Sequence, residues 1–439
     1  MFTSLTMKNY KSFDNITINF EAKKNHPKKL MAIFGENGSG KSTILSAFSK
    51  LRLSINTISN IEKLNNLSPS KIAETKTEWI SQISTMDLNS NFTNVNNIFK
   101  DSIMVASTGP MVINFEFILN GHKGNYELVF QNGDNNQPYL VSETLNFLIN
   151  KVSGTLFSIK YDSNNNISII QSPKLVQKSA ILKINDYINE YWGDHTFLSI
   201  INQFASENFT SKNLFAVLNF FKSMGLKTDE TNIVNNTVNL LTSENSIDNQ
   251  SLIKTTELAL NKYLIPLLDD ISGVRYKTVI NLHNEIEYEL WEKKRIYGKY
   301  VEIKFSFESN GIKNILKLFP HILNAIGGNV ELIDDIDHGL HTMITKQIVE
   351  NIEENIDGQL IFTTSDTHLM TQLKKKYIYI IWVDSVGNKA VYSLDTVQFK
   401  VRKNNNIEKI YIDGGLNGIP FSSDVNFYDI VEGLKNSNE

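Results

Sequence analysis

The chain has 439 residues, 41% hydrophobic and 21% charged, enough for one large or two moderate domains with a substantial core. A net charge of -4 disfavours general affinity for nucleic acid, and the absence of cysteine excludes disulfides, thiolate metal sites and cysteine nucleophiles. No apolar run approaches the roughly 20 residues of a membrane-spanning helix and the N-terminus lacks the layout of a signal peptide, so the expectation is a cytoplasmic protein with no membrane partner. Residues 2–20 alternate as strand, turn, strand, and 30–34 read as a buried strand. Ser42, Thr43, Ile44, Leu45, Ala47 and Phe48 open a helix. Between strand and helix, Gly35, Gly40, Lys41 and Ser42 complete the pattern G-x-x-x-x-G-K-[ST], written here GENGSGKS. The glycines let the chain wrap an anion, so that backbone N–H groups and the positive helix end converge on phosphates. Nucleotide contacts are expected from Gly35, Asn37, Gly38, Ser39, Gly40, Lys41, Ser42 and Thr43, with Lys41 reaching the β and γ phosphates of ATP and Ser42 giving a hydroxyl to Mg²⁺.

Residues 56–101 are polar and irregular and read as a loop-rich insertion. Residues 111–117 and 126–130 alternate around a turn at 121–125, as a hairpin should, and 156–161 with 167–170 repeat the logic. From about 173 to 270 the spacing turns helical, for example Ile181, Leu182, Ile184, Tyr187, Ile188 and Tyr191, and reads as a lobe packed on its own core or an arm facing a partner. Strand character returns at 286–291 and 300–307, and alternating helices and strands follow to 410. The expected division is an N-terminal ATPase lobe at 1–170, an inserted helical lobe at 171–275 and a C-terminal ATPase lobe at 276–439. The only arginines are Arg52, Arg275, Arg295 and Arg402, so charge in a phosphoryl transfer must be met largely by lysine, Mg²⁺ and backbone amides.

A strand at 330–333 ends in Asp334 and Asp335, a Walker B arrangement at the edge of a parallel sheet where ligands bind. Asp334 is the candidate that holds Mg²⁺, with Ser42, and Asp335 occupies the position that polarises attacking water, so that Lys41, Asp334 and Asp335 form the candidate catalytic set. MKNYKSF (7–13), GENGSGKS (35–42), ESNGIK (308–313), LIDDIDHGLH (332–341) and IFTTSDTHLM (361–370) together resemble the opening strand, Walker A, signature, Walker B with D-loop, and switch of ABC-class ATPases of the AAA15 and AAA21 type. These are relatives of the overcoming-lysogenization-defect, RecF and Rad50 proteins, and residues 377–420 also look like that family. The resemblance implies an α/β fold, a P-loop ABC-type ATPase head with a mixed sheet. It also implies a homodimer or higher homo-oligomer with composite ATP sites, in which Glu308, Ser309, Asn310 and Gly311 act in trans on the nucleotide of the other subunit. Lys11 matches a basic residue that relatives aim at nucleotide phosphates.

Family members usually carry glutamate where this chain has Asp335 and histidine where it has Ser365, departures that imply slow turnover, with Asp337 or His368 as candidates to compensate. His341 is read as fixing a dimer-facing loop, and Gln82 is a weak Q-loop candidate. Stand-alone members of this size, such as the ATPase subunit of the phage anti-restriction-induced system, imply a dimerising molecular switch, sensor or scaffold in bacterial anti-phage defence. Its partner would be an effector encoded nearby, of nuclease or Toprim type. A RecF-like DNA-binding repair ATPase, disfavoured by the acidic balance, and an ATP-binding scaffold with little turnover remain the alternatives.

Overall fold

The computed structural model describes residues 1–65, 92–105, 107–133, 137–172, 175–177, 180–205, 210–228, 231–234, 250–280, 286–396, 406–416 and 425–436. Strand β1 (Phe2–Tyr10) turns into β2 (Phe13–Asn19), and a two-stranded ribbon, β3 (Glu21–Lys23) with β4 (His26–Pro27), leads to β5 (Leu30–Phe34). A meander follows, comprising β6 (Met111–Leu119), β7 (His122–Asn132), β8 (Pro138–Ile149), β9 (Val152–Tyr161) and β10 (Ile167–Gln171). These strands join β1 and β2 in one antiparallel sheet of order β10-β9-β8-β7-β6-β1-β2. The β6–β7 hairpin is longer and its turn tighter than the sequence suggests. Leu119 pairs with His122 across Asn120-Gly121, whose φ of 52° and 77° suit the two-residue turn that matches strand twist.

A second sheet carries the parallel strands. Here β11 (Gly225–Lys227) and β12 (Asn232–Ile233) come from the middle of the chain. A three-stranded antiparallel sheet then intervenes, formed by β13 (Ile271–Ile280), β14 (Ile286–Ile296) and β15 (Lys299–Lys304). The last strands are β16 (Val330–Ile333), β17 (Gln359–Thr364), β18 (Ile378–Val383) and β19 (Lys389–Ser393). The order is β12-β11-β16-β17-β5-β18-β19, parallel from β11 to β18 with an antiparallel strand at each edge. All five residues of β5 are buried, as a strand covered on both faces requires. The mixed α/β architecture expected from the motifs is therefore present.

Gln359 joins the two large sheets, accepting from Phe2 N at 2.7 Å and donating to Phe2 O at 2.9 Å and Lys28 O at 3.0 Å. Helices Ile181–Tyr191, Phe197–Phe204 and Lys212–Lys222 share one apolar core with the meander sheet and with helix Lys41–Ser54. Helix Gln250–Leu267 packs instead with β13, β14 and helix Asn310–Ile326. Residues 171–275 are thus divided between two cores, and β11 within them joins the second sheet; stripes this short find their apolar cover on neighbouring sheets. Glu143, fully buried, accepts from Tyr126 Oη, Trp192 Nε1 and Phe197 N at 2.8, 2.9 and 2.6 Å, and so pins the start of helix Phe197–Phe204 to the sheet. Burial pushes its carboxyl up to about 7, against the pull of those donors.

The stretch expected as loop-rich at 56–101 contains helices Thr57–Asn65 and Val95–Ile98, the second capped by Asn94, which accepts from Asn96 N at 2.7 Å. Gln82 and residues 417–420 lie outside the described residues. Among the described residues no helix is long and apolar enough to cross a membrane.

Candidate nucleotide site

Register places the motifs together. Phe34 pairs with Thr364 on one side and Ile380 on the other, and Ile333 pairs with Phe362, so the parallel strands finish at a common edge. The 35–40 loop, Asp334 with Asp335, and the turn after Thr364 all leave from that edge, where ligands of open α/β sheets bind. Within the loop, Gly35 is buried, and a Cβ there would meet Ser39 Oγ at 2.5 Å. Gly40 has φ of 118° and lies so close to Phe13 that a Cβ would sit 2.8 Å from its ring. Gly38, with φ of 80°, is exposed. Lys41 is buried and its Nζ donates to Gly35 O at 2.7 Å and Glu36 O at 3.3 Å, which draws the loop around the ammonium. Asn37 and Ser42 are exposed and Thr43 half-buried, while Ser39 Oγ is buried without a partner. Lys11 lies in the β1–β2 turn with φ of 49°, and its backbone N donates to Ser102 O at 2.6 Å.

The two acids are held by a residue that the motifs did not single out. Thr363 Oγ1 lies 2.5 Å from Asp334 Oδ1 and 3.4 Å from Asp335 Oδ1, and accepts from Asp335 N at 2.8 Å. One hydroxyl therefore orients the Asp334 carboxylate with its proton and, by accepting from the backbone N, supports Asp335 at a φ of 45°, a conformation aspartate tolerates better than most residues. The signal in IFTTSDTH was only a hydroxyl residue near the end of a strand. His368 points elsewhere, with Nδ1 2.9 Å from Glu408 Oε1, and Asp337 Oδ1 is buried without a partner. His341 caps helix Thr342–Asn355, accepting from Met343 N at 3.3 Å.

Ser309 caps helix Asn310–Ile326, accepting from Ile312 N at 3.4 Å. Gly311 fits against the loop after the acids, since a Cβ there would meet Gly339 O at 2.3 Å, and Asn314 Nδ2 donates to His338 O at 3.1 Å. The Glu308 side chain is turned inward onto Lys294 and accepts from Ser309 N at 3.2 Å, so it is not presented to another subunit as expected. Burial and the neighbouring Glu308 push the buried Glu292 carboxyl up to about 9, while hydrogen bonds from Glu292 and then Lys294 draw the Glu308 carboxyl below its ordinary value against burial. Among the described residues no hydrogen bond or ion pair joins Ser309 or Gly311 to the 35–42 loop. Within one chain the structure brings together Lys41 and its loop with Asp334 and Asp335, and sets the signature against the D-loop segment.

The residues present fit a nucleoside triphosphate with Mg²⁺. The left-handed glycines leave the loop tip open, and Ser42 with Asp334 offers the hard oxygen donors that Mg²⁺ takes. A family defined as the AAA domain matches residues 4–267, more than half the chain. The chain belongs to the AAA domain family. Its place there agrees with the P-loop and gives an ATPase-type nucleotide-binding fold; the signature and the acids lie beyond the matched span. No curated protein matches the sequence. Among solved structures, an SMC head bound to the C-winged helix domain of ScpA is 16% identical to this AAA-domain protein, covering 90% of this chain and 98% of its own at a TM-score of 0.44. The SMC head domain from Thermotoga maritima is 14% identical over 89% and 98%, with a TM-score of 0.38. An Smc head domain with an extended coiled coil, bound to the C-terminal domain of ScpA derived from Pyrococcus furiosus, is 15% identical over 90% and 96%, with a TM-score of 0.35. All three are distant likenesses.

Proposed function

We propose that this chain is an ATP-hydrolysing ABC-class switch whose nucleotide site is completed by the signature of a second copy. The observation that carries the reading is Thr363, which fixes Asp334 and Asp335 side by side at the edge where the Lys41 loop begins. Loop amides and the start of helix Lys41–Ser54 bind the phosphates, and Lys41 offsets their charge. Ser42 and Asp334 would hold Mg²⁺, which would supply polarisation of the phosphate oxygens. Asp335 orients the attacking water and takes its proton as the oxygen bonds to the γ phosphorus and the β–γ bridge breaks toward ADP. Aspartate reaches one methylene less far than glutamate, which supports slow turnover.

Ser309, exposed, and Gly311, half-buried, sit at a helix start that makes no described contact with the chain's own 35–42 loop, which supports their use in trans. Triphosphate would then join two copies and hydrolysis release them, a cycle suited to sensing or scaffolding in anti-phage defence with a separate effector; the defence setting rests on the motif resemblance. Phosphate release by the wild type, Lys41→Ala and Asp335→Ala tests the chemistry, with equal rates in all three arguing against it. Sizing with and without ATP tests the switch, and an unchanged assembly would remove its main consequence.

A further inference from the structure

The β18–β19 hairpin brings a second lysine to the phosphate loop from the far end of the chain. Ile380 of β18 lies opposite Phe34, the last residue of β5, and β19 returns with Lys389 opposite Val383, three residues farther along. The register therefore carries Lys389 past the end of β5 to the level of the loop. Its Nζ donates to Gly38 O at 3.1 Å and Ser12 Oγ at 3.0 Å, and stands 5.7 Å from the centre of the Phe13 ring that packs on Gly40. The hairpin is fixed in place, since buried Lys28 donates to Ser393 Oγ at 2.7 Å and pairs with Asp395 at 3.0 Å, and Tyr379 Oη donates to Asn19 O at 2.7 Å.

The partners of Lys389 are all neutral. Among the described residues no carboxylate pairs with it, in contrast to Lys28, and burial lowers its pKa with no acid to oppose the shift. A half-dried ammonium held only by neutral oxygens is stabilised when an anion arrives, and two protein acceptors leave one of its three N–H donors to spare. The scarcity of arginine gives the same direction, because none of the four lies in the Walker or signature segments. We propose that Lys389 is a second phosphate-binding lysine of the nucleotide site, contacting the polyphosphate of a nucleoside triphosphate at the loop tip while Lys41 serves the loop base. The assignment rests on reading residues 35–42 as a triphosphate cradle.

The test is titration of the full chain with a fluorescent ATP analogue, followed by displacement with ATP and with inorganic tripolyphosphate, for the wild type, Lys41→Ala, Lys389→Ala, Lys389→Arg and Lys389→Gln. Lys389→Ala should weaken both competitors about tenfold, about 1.4 kcal/mol. Lys389→Arg should recover most of the affinity, whereas Lys389→Gln, which still donates to Gly38 O but carries no charge, should stay with alanine. Wild-type affinity in Lys389→Ala, or recovery by Gln equal to that by Arg, would overturn the proposal and leave a neutral loop tether. Should the alanine variant fail to fold, the Arg and Gln pair decides. Binding lost in Lys41→Ala but untouched at Lys389 defeats this inference alone; no binding by the wild type defeats the cradle as well.

Discussion

Thr363→Val is the most searching single change at the site, because it keeps the shape of the side chain and removes only the hydroxyl. In the wild type that hydroxyl donates toward Asp334 and accepts from Asp335 N, inside a residue with no solvent exposure. Hydrogen bonds to charged groups contribute about 1.5–3 kcal/mol, and a buried donor left unpaired costs about 1–3 kcal/mol. Some of this is recovered because Asp334 and Asp335 are only half-buried and water can reach them. The expected net loss is about 2–4 kcal/mol, read as a fall in the guanidinium unfolding midpoint followed by tryptophan fluorescence. Phosphate release should fall about tenfold or more as the Asp334 carboxylate and the Asp335 backbone lose their shared anchor. Thr363→Ser retains the hydroxyl and should stay within about 1 kcal/mol of the wild type. A valine variant with wild-type midpoint and turnover, or a serine variant as impaired as valine, would refute the role given to Thr363.

Asp335→Asn should retain ATP binding while phosphate release drops about 10²-fold or more, and comparable losses of binding and turnover would count against a base at this position. Gly311→Ala puts a methyl 2.3 Å from Gly339 O, so helix start and D-loop must part; a loss of about 1–3 kcal/mol in chemical denaturation and slower phosphate release are expected, and wild-type behaviour would show the contact to be slack. Glu292 faces Glu308, Lys294 and Asp270, and its folded pKa is raised from 4.5 to about 9, so the fold keeps a proton that the unfolded chain releases. Its contribution is complete below 4.5 and is lost as pH rises toward about 9. Stability curves across that range should therefore slope downward in the wild type and be flatter in Glu292→Gln, with parallel curves opposing the assignment.

The loop, the acids and the strands before them were readable because each is local: an apolar run, a glycine pattern and a helix start lie within about fifteen consecutive residues, and strand, turn and acid stand in immediate succession. Thr363 was hidden because a threonine near the end of a buried strand looks like any β-branched residue until the neighbouring strand is known. Lys389 was hidden for the same reason, and only the register of two strands brings it to Gly38, 351 residues away in the chain. The inward turn of Glu308 could not be read from ESNGIK, since its partner Lys294 belongs to a separate strand.

By itself the sequence determined that a P-loop opens a helix after a buried strand and that two carboxylates end another strand, because each depends on spacing within one segment. Only the tertiary structure decided that these strands end at one edge, that one hydroxyl holds both acids, that the middle helices are divided between two cores and that the signature glycine leans on the D-loop. Those facts depend on which strands become neighbours. Hydrogen-bond register and shared apolar burial settle that across hundreds of residues, and no local pattern records it.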